Sequence, residues 1–258
     1  MPAQWISFAY IGEYAFTATN LRRRWAKLHA GDQEAWPTNP KVAAAWVLFH
    51  RGEFEKAAQA GLKAGADGVT VTNKATCIYA TYLEPSEKVR RELFLQVAQR
   101  SAAQAVAEPA NANAFYWQAY ALARYSQGIS VAKALAQGLG GKVKAALEAA
   151  IALQPQHADA HVALGAFHAE VIDKVGTLIG NMTYGAKKST SLALFAQALR
   201  LTPQSQLALM EYANALVILE GDSRMDEATA LYERATQTTA RDAAERLDVE
   251  MAIAELED

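Results

Sequence analysis

Residues 141–170 read GKVKAALEAAIALQPQHADAHVALGAFHAE. An Ala-rich segment runs into Leu153-Gln154-Pro155, and four residues later a second segment begins with Leu164-Gly165 at its middle. Proline has no N–H and disfavours helix in the residue before it, so the first helix must stop there. The phrase recurs as Ala198-Leu199-Arg200-Leu201-Thr202-Pro203, and more faintly as Ala105-Val106-Ala107-Glu108-Pro109. A short polar link and a new helical pattern follow each time. Asp159 or Asn113 stands in the first turn, where an acid or a capping group suits the unpaired N–H groups.

These phrases resemble tetratricopeptide repeats, whose 34-residue unit is a helix A, a tight turn, a helix B and a closing proline. His161, Leu164, Gly165 and His168 fall where that pattern puts Trp, Leu, Gly and Tyr of helix A, and Phe195 and Ala198 at the large and small positions of helix B. Leu209, Tyr212, Ala213 and Leu216 repeat the helix A set, followed by Ala228, Tyr232 and Ala235. Ala45, Leu48, Gly52, Ala57 and Ala64 match without a gap near the N-terminus. Small residues let two helices approach closely. The expected fold is all-α: a right-handed solenoid of antiparallel helix pairs with two extended helical hairpins. It is expected as one domain over residues 1–258, with an N-terminal helical cap (1–35), repeats (36–237) and a C-terminal capping helix (238–258) that covers the last apolar face. Residues 4–28 read as one aromatic-bearing helix, and 239–257 as the final one.

Two intervals depart from the plain repeat. Pro109 to Pro155 is 46 residues and Pro155 to Pro203 is 48, whereas Ala198 to Ala235 is 37. Both excesses fall between helix A and helix B, in residues 126–141 and 171–190. Val131, Leu135 and Leu139 are spaced by four, and Val171/Ile172, Val175, Leu178/Ile179 and Met182 follow an apolar helical stripe. Each helix A is therefore expected to continue by about two turns, with Gly140-Gly141 and residues 181–185 making the turns. Over residues 112–237 this variant resembles the regulator-of-microtubule-dynamics proteins and the T-component proteins of bacterial TRAP-type solute transporters. Tyr116-Trp117, Arg124-Tyr125, the two insertions and Thr183-Tyr184-Gly185 carry that resemblance. A transporter component would be expected outside the cytoplasm with an export signal, and the sequence shows none.

Hydrophobic residues make up 52% of the chain and charged residues 20%, an ordinary composition for a packed protein. The net charge of −2 gives no bulk drive toward nucleic acid or anionic membrane. The charge is uneven: from Leu219 onward twelve acids stand against four arginines, a local net of −8 that leaves +6 before it. Because these charges interleave with apolar residues at helical spacing, a solvated face is expected. A single cysteine, Cys77, excludes an internal disulfide. No apolar run reaches the roughly 18 residues of a membrane span. Without a basic n-region at the start, a cytoplasmic location is expected.

No motif carries catalysis. GLGGK at 138–142 lacks the first Gly (Ala136) and the Ser/Thr (Val143) of a phosphate loop, and lies in a helix–turn–helix context. His157, His161 and His168 share helical spacing, but no third ligand is set by spacing, so packing histidines are expected and no metal or cofactor. Arg22-Arg23-Arg24-Trp25-Ala26-Lys27 is the only basic run, and is expected to be a solvated face and no nucleic-acid site.

What remains is surface. The resemblance implies a concave groove lined by helix A, here Asn39, Val42, Trp46, Phe49 and His50, then Asn113, Tyr116, Tyr120, Ala123 and Arg124. Asp159, Val162, Ala166, Ala169 and Glu170 come next, then Leu207, Met210, Asn214, Val217 and Ile218. Val42 and Tyr116 stand where some tetratricopeptide proteins carry a carboxylate-clamp lysine. The aromatics either form an open groove or pack against the N-terminal helices. The reading is a non-catalytic adaptor that binds a peptide or protein through this groove and through the extended apolar edge at Ile179 and Met182. A homo-oligomer through the extended helices is also open. The alternative is a small apolar or carboxylate ligand held between the extended helices, with Arg124 as counter-ion. Far-UV circular dichroism is expected to show a mainly helical chain, with sheet content below about a tenth.

Overall fold

The computed structural model describes residues 5–257. Among them there is no strand. The chain forms α1 (Ala18–Leu28), α2 (Pro40–His50), α3 (Phe54–Lys63), α4 (Val69–Tyr82), α5 (Glu87–Ala107), α6 (Ala112–Gln127) and α7 (Val131–Ala136). After these come α8 (Leu139–Leu153), α9 (Ala158–Val175), α10 (Thr177–Tyr184), α11 (Lys188–Leu201), α12 (Gln206–Glu220), α13 (Met225–Thr236) and α14 (Ala243–Glu257). Three helices, α5, α8 and α11, each end two residues before a proline, as the backbone rule requires.

Helix starts are capped by residues that the repeat pattern did not single out. Asn111 accepts the N–H of Ala114, and His157 Nδ1 accepts the N–H of Ala160. The first-turn Asn113 instead donates to Glu34 at 2.6 Å, and the N–H of Asp159 donates to the carbonyl of Gly31. Thr17 and Asn20 form a capping box that starts α1. The helix expected over residues 4–28 therefore begins only at Ala18. Residues 5–17 form turns and loop, and Gln4 and Asp258, at the ends of the two expected terminal helices, lie outside the described residues.

The helices fall into two compact units, each discontinuous in sequence. The first holds residues 5–29, 34–146 and 241–244. Within it α2 packs on α3, α3 on α4, α4 on α5 and α5 on α6. The α4/α5 pair is antiparallel and joined by polar contacts: Gln104 donates to Thr70 Oγ1, Asn73 to Ser101 Oγ, and Arg100 to Asn73 Oδ1. The second unit holds residues 30–33, 147–240 and 245–257. There α9 packs on α11 and α12, and α12 on α13. Val162, Ala169, Phe195, Ala198, Ala208 and Ala215 form one core, and Leu209, Met210, Leu216, Leu231 and Tyr232 lie at the centre of another.

The first insertion departs from the expected extended helix A, and the second follows it only as far as Val175. In the first, helix A stops at Gln127, and Gly128-Ile129-Ser130 leads into the separate α7. The turn falls at Gln137-Gly138, while Gly140 and Gly141 lie inside α8. In the second, helix A continues to Val175 and then breaks at Gly176, whose φ of 82° is a conformation that side chains with a Cβ rarely adopt. A separate α10 follows and ends at Gly185, in the left-handed region at φ 65°. The stripe Val171–Met182 is thus split between two helices.

The α9/α11 pair shows why small residues sit where they do. A Cβ placed on Gly165 would lie 2.9 Å from Phe195 Cε2, and Ser191 Oγ donates to the Gly165 carbonyl at 2.7 Å. Replacing Gly165 with Leu would force this ring and the helix pair apart. Gly165→Leu is expected to lower unfolding free energy by roughly 1–3 kcal/mol, read by urea denaturation. An unchanged midpoint would refute the close approach.

Candidate protein-binding surfaces

In the first unit the expected groove of α2 is occupied by the chain itself. Trp46 and Phe49 are both 0% exposed, and Val42 and His50 are buried with them. Trp25 of α1 meets Trp46 edge-on at 5.5 Å, His29 lies 4.8 Å from Trp46, and Phe16 lies 5.5 Å from His50. Lys74 Nζ lies 5.8 Å from the Trp46 ring and 5.4 Å from the Phe49 ring, within reach of their negative faces. Of the two arrangements left open for these aromatics, Trp46 and Phe49 take the packed one. A buried polar chain runs through the cluster. His29 Nε2 is 3.2 Å from His50 Nε2, and His50 Nδ1 is 2.6 Å from Asp242 Oδ2. The carboxylate accepts from Nδ1–H, which leaves Nε2 to meet His29. Asp242 lies 192 positions from His50, and no linear spacing signals that contact.

Further along, Tyr116 and Trp117 are buried, and Tyr120 packs against both at ring distances of 6.1 and 5.4 Å. The Tyr120 hydroxyl is 2.8 Å from that of Thr81, and the Arg124 guanidinium lies 5.3 Å over the Tyr120 ring. Burial raises the Tyr120 pKa, and the Arg124 charge partly opposes it. The structure therefore brings Tyr116, Tyr120 and Arg124 together, with only Tyr120 and Arg124 partly exposed. Beside them Arg100 Nε donates to Asn73 Oδ1 at 2.9 Å, and burial lowers its pKa.

In the second unit Val162 and Met210 are core residues, buried in the two clusters described above. Asn214 Oδ1 accepts from the Tyr232 hydroxyl, so its side chain already has a partner. The histidines hold structure: His157 caps α9, His161 Nε2 donates to the Pro155 carbonyl at 3.0 Å, and His168 Nδ1 accepts from the Lys187 N–H. Among the described residues no group of His, Cys, Asp and Glu is placed to hold a metal. What the second unit does expose is α10. Leu178 is 73% exposed, Ile179 57% and Met182 80%, while Gly180 on the opposite side is buried beside Val171. In the first unit α7 similarly exposes Val131 and Leu135.

An all-α chain whose helix pairs meet at small residues, with helices ending before spaced prolines, is a tetratricopeptide-type helical repeat protein. The crystal structure of a thermophilic tetratricopeptide protein from Thermus thermophilus superposes with a TM-score of 0.59 at 14% identity, covering 83% of this chain and 98% of that one. The profile of the regulator of microtubule dynamics protein 1-3 family matches residues 47–255. The chain belongs to that family. Among curated protein sequences none matches it. No helix among the described residues is long and apolar enough to cross a membrane.

Cys77 lies fully buried on α4, and burial pushes its thiol far above the usual range although Arg100 and Arg124 act in the other direction. It is expected to resist Ellman's reagent in the native protein and to react with full stoichiometry after denaturation. Rapid reaction under native conditions would place the α4–α6 packing in doubt.

Proposed function

We propose that this protein is a non-catalytic adaptor, and that α10 is its principal contact with a partner protein. The observation that carries this is the exposure of Leu178, Ile179 and Met182 on one short helix between two glycines of positive φ. Large apolar side chains grouped at a surface usually mark a contact site, because leaving them in water forgoes their burial energy. The repeat fold supports the reading, since helix-pair arrays commonly present surfaces to proteins. The family description names regulation of microtubule dynamics, which makes microtubules the first partner to test.

The groove at Tyr120 and Arg124 is the second reading, favoured by the partial exposure of a cation laid over an aromatic ring. Trp46, Phe49, Val162 and Met210 support neither reading, because their side chains are buried within their own units.

Co-sedimentation with stabilised microtubules, and mass spectrometry of proteins retained on immobilised protein, separate the two readings. Ile179→Asp puts a charge into the apolar face and is expected to abolish retention. Tyr120→Ala is expected to leave it within about twofold, whereas loss of a buried interface aromatic typically costs about 2 kcal/mol or more. Loss of binding on Tyr120→Ala with retention by Ile179→Asp would transfer the site to the groove.

A further inference from the structure

Helix α1 carries the basic run Arg22-Arg23-Arg24 together with Lys27, and all four side chains are exposed. Leu21 and Trp25 form its buried face, so Arg23 and Lys27, four residues apart, stand at the crest opposite, with Arg22 and Arg24 on the flanks. The flanking guanidiniums are held in place by neutral groups. Arg22 lies 5.9 Å from the Trp36 ring and Arg24 5.0 Å from the Phe16 ring. Arg24 Nη2 also donates to the Arg241 carbonyl at 3.4 Å, and Arg241 Nη1 donates to the Lys27 carbonyl at 2.7 Å. Arg51 adds a further cation, donating through Nε to the Phe16 carbonyl at 2.8 Å. Ring faces and a carbonyl position Arg22 and Arg24 without neutralising them. Among the described residues none of Arg22, Arg23, Arg24 and Lys27 pairs with a carboxylate.

We propose that this face of α1 is a docking surface for an acidic peptide segment. Ordered arginines without counter-charges match carboxylates in two-point geometry, and their mutual repulsion is relieved when an anion arrives. An eleven-residue helix spans about 16 Å, the reach of roughly five extended residues, so a short run of Glu or Asp fits it. Single-stranded nucleic acid would need free aromatic faces for its bases, but Phe16 is buried and both rings already carry a guanidinium. A membrane surface would call for large apolar anchors beside the cations, and the exposed apolar residues of α1 are alanines. The surface precedes residue 47, where the family match begins, and is independent of the reading of α10.

The test is fluorescence anisotropy of a labelled deca-glutamate peptide with the full chain at low and tenfold higher salt. The wild type is expected to bind at low salt and to weaken steeply as salt rises. The double variant Arg23→Glu/Lys27→Glu, at two exposed positions, is expected to lose at least about tenfold in affinity. Lys133→Glu on α7 and Ile179→Asp on α10 are expected to change nothing, so failure of the α10 reading leaves this one standing. Equal binding by the Arg23/Lys27 variant, checked by circular dichroism to be folded, overturns the proposal. So does tighter binding of an oligothymidylate or of phosphatidylserine vesicles through the same two residues.

Discussion

Repeat packing in this chain turns on the meeting of a small residue on one helix with a large side chain on the next. Gly165 against Phe195 is the clearest case: the ring occupies the space a Cβ would take, and stacks on Tyr212 at 5.1 Å on its other side. One aromatic side chain thereby ties three helices, α9, α11 and α12. Close packing of this kind tolerates little change in volume. It also sets where helices must end, because each pair needs its turn at a defined height, and a proline two residues past α8 and α11 prevents overrun.

The same demand for burial decides what happens to the aromatic residues of the first unit. A row of Trp, Phe and His on α2 would be costly to leave in water. Residues 5–29 contribute Trp25, His29 and Phe16 to cover it, and Asp242 closes the buried histidine chain. Imidazole rings suit such a place, since each has one nitrogen to donate and one to accept while the ring itself packs as an aromatic. Trp46 and Phe49 are therefore buried, whereas apolar residues of α10 and the cations of α1 stand exposed.

Between helix A and helix B the two insertions solve one problem in different ways. α6 ends at Gln127 and a Gly128-Ile129-Ser130 link starts α7, whereas α9 runs into its insertion as far as Val175 before Gly176 breaks it. In both, the short helix that follows keeps large apolar side chains in solvent. Sequence periodicity registers apolar spacing but not whether another element covers the stripe, so the stripe alone leaves a buried extension and an exposed helix equally open.

The class of fold and the limits of most repeat helices are written in the order of the residues. Proline placement, alanine and glycine spacing and helical periodicity act within one or two turns of chain, and neighbours in sequence are enough to express them. The family resemblance, rather than periodicity, implies Tyr116, Tyr120 and Arg124 as groove residues; in the structure they lie on successive turns of one helix, with Tyr116 buried and the other two partly exposed. That Trp46 and Phe49 are core, that residues 5–17 are not helical, and that the extended hairpins break at Gly128 and Gly176 emerged only on folding. The burial of Trp46 and His50 depends on partners far away in the chain, such as Trp25 for the one and Asp242 for the other, and burial is a property of the folded surroundings that linear spacing does not carry.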